Sequence, residues 1–166
     1  MTSQEETLVA LARHLDQHQI SYIVIGRLVD AVWGEPRATL DINVTVAAET
    51  SDALQIAAIL EQEFRVLVSD PEGFVQETRV LPLESQAGVR IDLILDLLPF
   101  ELEAIERAKL VAIAQEAIRV CTPEDLILLK IISRRDGRPK ALDRWWCVWC
   151  RLLPRGCDYV GARMAA

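Results

Sequence analysis

In the stretch Asp41–Val46, Asp41, Asn43 and Thr45 alternate with Ile42, Val44 and Val46. On a strand, alternate side chains share a face. The acid, the amide and the hydroxyl therefore point one way and the three aliphatic residues the other. An acidic residue with a second oxygen donor two positions on, just behind a glycine turn and a short helix, suits a divalent cation bridging to a nucleotide phosphate. The glycine is Gly26, which ends the apolar run Tyr22–Ile25 and precedes a short helix. Free backbone N–H groups at such a turn, together with the helix dipole, attract phosphate. A third oxygen donor, Asp92, lies on the polar side of the Val89, Ile91, Leu93 alternation. If the strands are neighbours, Asp41, Asn43 and Asp92 meet around Mg²⁺ bound to a nucleoside triphosphate. A pair of such ions can activate an attacking hydroxyl and neutralise a leaving pyrophosphate. Asn43 is the odd member, an amide where two-ion chemistry wants a carboxylate.

The elements that must hold these residues are short and alternate in type. Ser3 and Glu6 have capping-box spacing, and Leu8, Leu11, Ala12 and Leu15 recur at helical spacing, which predicts a helix over 4–18. His14 and His18, four apart on it, read as an exposed helix face. The pattern then predicts a strand over 22–25, a helix ending at Val32 or Trp33 before Gly34-Glu35-Pro36, and a strand over 38–46. A helix capped at Thr50 or Ser51 follows, with Leu54, Ala57, Ala58 and Phe64 as its apolar positions. Strands over 65–68 and 77–83 are expected around an Asp70-Pro71-Glu72-Gly73 turn, and another over 89–94. Pro99 opens a helix, residues 111–114 and 117–120 form a hairpin, and Thr122-Pro123-Glu124-Asp125 starts a helix through Ser133. The expected architecture is α/β (α+β), a mixed sheet flanked by helices with a helical C-terminal part, in one domain over 1–166.

At 166 residues and about half apolar, the chain has enough material for a core and is unlike a disordered segment. No apolar run reaches the roughly 20 residues needed to span a bilayer. The polar, acidic N-terminus is unlike a signal peptide, so a cytoplasmic address is expected. The net charge of -7 argues against a dedicated duplex-binding protein. That charge is uneven, since residues 130–166 carry nine Lys/Arg against three Asp/Glu. A basic end beside an acidic body suits a phosphate-bearing substrate, or is a solvated charged face. Cys147, Cys150 and Cys157 supply three thiols but no nearby histidine completes a zinc set, and reduced thiols are expected.

The segments Ile25-Gly26, Gly34–Asn43, Arg90-Ile91-Asp92 and Thr122–Lys130 together resemble the nucleotidyltransferase superfamily of the DNA polymerase β type. More narrowly, they resemble the small bacterial AbiEii-like nucleotidyltransferases of abortive-infection and toxin–antitoxin systems. The resemblance covers about Leu8 to Lys140. It implies that Gly26 opens a glycine pair against the triphosphate, that Asp41 is the first metal-binding carboxylate, and that Asp92 is the third and the general base. It also implies that Lys130 contacts phosphate. Arg37 and Thr39 lie in the approach to the metal strand without an assigned role.

Two departures bear on activity. Arg27 stands where the family has a second glycine; arginine does not readily take positive φ, and its side chain would fill the phosphate pocket or grip the phosphate. Asn43 stands where the family has a second aspartate and removes one negative charge from a two-Mg²⁺ site. The tail from about 141 to 166 departs further, holding three of the four tryptophans and three of the four cysteines. Such enrichment reads as a frameshifted, degenerate end, or as an apolar face of Trp145, Trp146 and Trp149. The resemblance thus implies Mg²⁺-dependent transfer of a nucleoside monophosphate from NTP to an RNA (tRNA) or protein hydroxyl, weakened at Asn43 and Arg27, with an antitoxin as partner. The alternative is an inactive nucleotide- or partner-binding relative.

Overall fold

The computed structural model describes residues 2–34, 41–95 and 98–132. The chain divides after Leu126, and the sheet belongs wholly to the first unit. Helix α1 spans Ser3–Gln17. Its capping box is one residue earlier than predicted: Thr2 Oγ1 accepts from Glu5 N at 3.2 Å, and Thr2 N donates to the Glu5 carboxylate at 2.7 Å. That backbone donor holds the Glu5 carboxyl below its usual value. Strand β1 (Tyr22–Ile25), helix α2 (Arg27–Trp33) and strand β2 (Asp41–Val46) follow. After a 3-10 turn over Thr50–Asp52 come α3 (Ala53–Leu60), β3 (Arg65–Val66), α4 (Pro71–Thr78), β4 (Val80–Glu84) and β5 (Arg90–Ile94). The remainder is α5 (Pro99–Glu106), β6 (Lys109–Ile113), β7 (Glu116–Val120) and α6 (Pro123–Ile132).

The seven strands form one mixed sheet in the order β3-β4-β5-β2-β1-β7-β6. β2 is central, parallel to β5 on one side and antiparallel to β1 on the other. Ladder partners share a face of the sheet. Ile42, Ile91 and Leu83 form one apolar row across β2, β5 and β4, and Val44, Leu93 and Leu81 the next; all six are fully buried. The opposite face carries the polar members of the same strands. Two ion pairs, Arg13–Glu116 and Arg119–Asp16, tie α1 to β7. The β6–β7 hairpin turns through Ala114 and Gln115, both at positive φ, which gives the turn the twist a two-residue hairpin needs.

Several sequence expectations give way. Residues 77–83 are not one strand, because α4 runs to Thr78 and β4 begins only at Val80. The Asp70-Pro71-Glu72-Gly73 signal is a helix start rather than a hairpin turn: Asp70 accepts from Gly73 N at 3.1 Å and Pro71 takes the first helical position. In α3 the buried positions are Ala53, Ile56, Ala57 and Leu60, while Leu54 is 53% exposed and Ala58 is exposed. Of the His14–His18 pair, His18 is exposed as expected, whereas His14 is not. His14 is 7% exposed, its Nε2 lies 2.9 Å from the Ile59 carbonyl, and its ring packs on His18 and Phe64. Arg37, Thr39 and the tail from 133 lie outside the described residues.

Candidate functional site

Gly26 joins β1 to α2 at φ +77, ψ -153, a conformation that a residue with a Cβ rarely adopts. A Cβ there would stand 3.2 Å from Asn43 Nδ2 and 3.3 Å from Asn43 Cβ. The glycine therefore lets the turn rest directly on the Asn43 side chain. Arg27 is the first residue of α2 and has a helical backbone, so the predicted conflict with positive φ does not arise; only Gly26 needs that region. The Arg27 side chain is exposed. α2 ends at Trp33, whose Nε1 donates to the Cys121 carbonyl at 2.9 Å, while Cys121 N donates to Val24 O. The helix behind the turn is thus fastened at its far end to the residue that follows β7.

Across the sheet, Ile25, Asn43, Asp92 and Pro82 lie in one register row over β1, β2, β5 and β4. The adjacent row is Asp41, Arg90, Glu84 and Arg65 over β2, β5, β4 and β3. The fold therefore brings Gly26, Asp41, Asn43 and Asp92 to one face of three neighbouring strands. Lys130 lies in the last turn of α6, in the second unit.

Arg90 is the site residue to which sequence reasoning gave no role, although its i, i+2 spacing to Asp92 puts both on one face. Its Nε donates to Asp92 Oδ1 at 3.2 Å. It flanks Asp41 in register on one side and Glu84 on the other, but Glu84 is taken by Arg65 through an ion pair. The row thus alternates in charge from edge strand to centre. Asp92 is 28% exposed and Arg90 56% exposed at the side chain, so the pair faces solvent rather than the core.

The donor set is two carboxylates, Asp41 and Asp92, with the Asn43 amide between them. That suits one Mg²⁺, which takes one or two carboxylates and completes its octahedron with phosphate oxygens and water. It does not suit two. Among the described residues no group of three or more His, Cys, Asp or Glu side chains is placed to hold a metal ion. A separate open concavity of about 480 Å³, lined by residues including Leu67, Asp70 and Phe74, shares none of these residues.

The sheet order, the glycine turn resting on the central strand and the acidic pair beside it define a nucleotidyltransferase fold. The chain belongs to the family described as "Nucleotidyl transferase of unknown function (DUF2204)", whose model matches residues 4–148. Solved structures share the fold at low identity. A crystal structure of an antigenic nucleotidyltransferase-like protein from Paracoccidioides brasiliensis is 18% identical, with TM-score 0.60, over 92% of this chain and 78% of that one. The lincosamide antibiotic adenylyltransferase LnuA, lincomycin-bound, is 13% identical, with TM-score 0.58, over 89% and 96%. The antibiotic-resistance factor ANT(2'')-Ia is 15% identical, with TM-score 0.60, over 99% and 93%. At these identities the likeness shows the fold alone. No curated protein matches the chain.

Proposed function

We propose that this protein transfers a nucleoside monophosphate from an NTP to a hydroxyl acceptor, an RNA such as tRNA or a protein, with Mg²⁺ and at a rate lowered by Asn43. The observation that carries the reading is the single face shared by Gly26, Asp41, Asn43 and Asp92 on β1, β2 and β5. Asp41 and Asp92 would hold the cation with help from the Asn43 carbonyl, and the cation would neutralise charge on the triphosphate. The acceptor oxygen attacks the α-phosphorus, the bond from that phosphorus to the β-phosphate oxygen breaks, and pyrophosphate leaves. The acceptor proton passes to Asp92. Arg90 already engages one Asp92 oxygen, which orients the other toward the incoming hydroxyl. Arg27, exposed directly after the Gly26 turn, adds a positive charge near the phosphates.

The two-carboxylate donor set favours a second reading: an inactive relative that binds nucleotide, or an antitoxin partner, in a cytoplasmic AbiEii-like toxin–antitoxin pair. The two are separated by incubating purified protein with labelled NTPs, Mg²⁺ and total RNA beside Asn43→Asp. Label transfer by the wild type at a rate close to that of the variant supports the enzyme reading without impairment. Weak transfer raised by orders of magnitude in the variant supports the weakened enzyme. No transfer by either protein removes the enzyme reading. Because related folds include a lincosamide adenylyltransferase, lincomycin belongs among the acceptors as a control.

A further inference from the structure

Two side chains on the site face have hydrogen-bonding capacity that the fold does not use. Arg90 is anchored by Nε alone, on Asp92, and among the described residues its two Nη groups have no partner. A guanidinium held from behind by a carboxylate presents its remaining N–H groups as a rigid fork, the geometry that matches phosphate oxygens. Asn43 sits one row along, half-buried, with its amide nitrogen against the Gly26 turn and no hydrogen bond among the described residues. A half-buried amide left without a partner calls for a ligand or water to satisfy it. Arg90 is more than half exposed, and exposed ion pairs of this kind add little to stability, so the fold itself does not require the arrangement.

The electrostatics run in the same direction. A face with three carboxylates repels phosphate and needs cations to receive it. Of those three charges, Asn43 lacks one and Arg90 matches another, at Asp92. We infer that Arg90 and Asn43 hold the phosphate chain of the nucleotide directly, so that this site binds a nucleoside polyphosphate without a divalent cation. The inference rests on the reading that a nucleotide occupies this face, and it assigns the pair the charge compensation for binding that divalent ions would otherwise supply.

Calorimetric titration of the full chain with ATP, once with Mg²⁺ and once with EDTA, tests it, with inorganic pyrophosphate as a competitor. The expected Kd in EDTA is within about fivefold of that with Mg²⁺, and pyrophosphate displaces ATP in both. Arg90→Gln should weaken binding in EDTA at least tenfold, and Arg90→Lys, which keeps the charge but not the fork, should recover only part of it. Asn43→Asp should make binding depend on Mg²⁺ by tenfold or more. Circular dichroism of each variant should match the wild type. ATP binding by the wild type only with Mg²⁺, or Arg90→Gln binding unchanged in EDTA, overturns the inference while leaving the nucleotide reading intact. Absence of binding to all four NTPs under both conditions overturns both.

Discussion

Gly26 carries two constraints at one atom: a backbone at φ +77 and a Cα lying against Asn43. Gly26→Ala meets both, because the methyl group must displace the Asn43 side chain while the backbone stays in a region costing about 1–3 kcal/mol for a non-glycine residue. Urea denaturation should show a loss of that size, together with loss of nucleotide binding. Thr45, two residues beyond Asn43 on the same face, presents the opposite case. It is fully buried, its Oγ1 has no partner among the described residues, and its register neighbours are Ile23 and Ile94. Thr45→Val removes an unsatisfied hydroxyl at nearly constant shape, so stability should rise by up to about 1 kcal/mol; a lower midpoint in thermal unfolding would contradict that. The alternation in the sequence identified the face that Thr45 shares with Asp41. Its burial was not legible there, because it depends on which strands lie on either side.

At the scale of elements, the start of α6 was legible and its anchor was not. Thr122 Oγ1 accepts from Asp125 N at 3.1 Å, as the Thr122-Pro123-Glu124-Asp125 signal implies. The same Asp125 is buried and receives two bonds from Arg107, at 3.3 and 2.9 Å, from the end of α5. With Glu103 on its other nitrogen, these carboxylates hold the Arg107 guanidinium well above its usual pKa. Asp125→Ala should cost about 1.5–3 kcal/mol, the range for hydrogen bonds to charged groups, measurable as a lower urea midpoint. Thr122→Ala should cost about 1 kcal/mol, as the loss of a helix cap does. Local signals failed where one motif serves two purposes. Asp70-Pro71-Glu72-Gly73 has turn composition, yet the same Asp and Pro are an N-cap and a first helical residue.

At the scale of the whole molecule, the central strands dominate. Leu93 on β5 is fully buried between Val44 and Leu81, and Leu93→Ala should cost about 2–5 kcal/mol as a large-to-small change in a packed core. The sheet also has an alkaline limit. Tyr22 on β1 is buried, and its phenol is pushed above its ordinary pKa of 10.0, first by burial and then by the Asp16 carboxylate, with Arg119 acting against the shift. The unfolded chain therefore ionises this group first. Its contribution is intact below about pH 10 and is lost as pH rises through the folded value. Stability measured from pH 8 to 11 should fall less steeply in Tyr22→Phe than in the wild type.

The sequence by itself determined what is local. The period-two alternation placed Asp41 with Asn43 and Arg90 with Asp92, and the Gly26 turn and the Thr122 cap each follow from a few adjacent residues. Those same residues carried the resemblance to nucleotidyltransferases that the match over residues 4–148 bears out. Tertiary structure alone decided what stands opposite what. It put β5 beside β2 in parallel, so that Asp92 meets Asn43 in register, and it gave Glu84 to Arg65, leaving Arg90 for Asp92. It also removed His14 from solvent. The physical reason is that pairing and burial are set by partners distant in sequence, whereas face, cap and turn are set by neighbours.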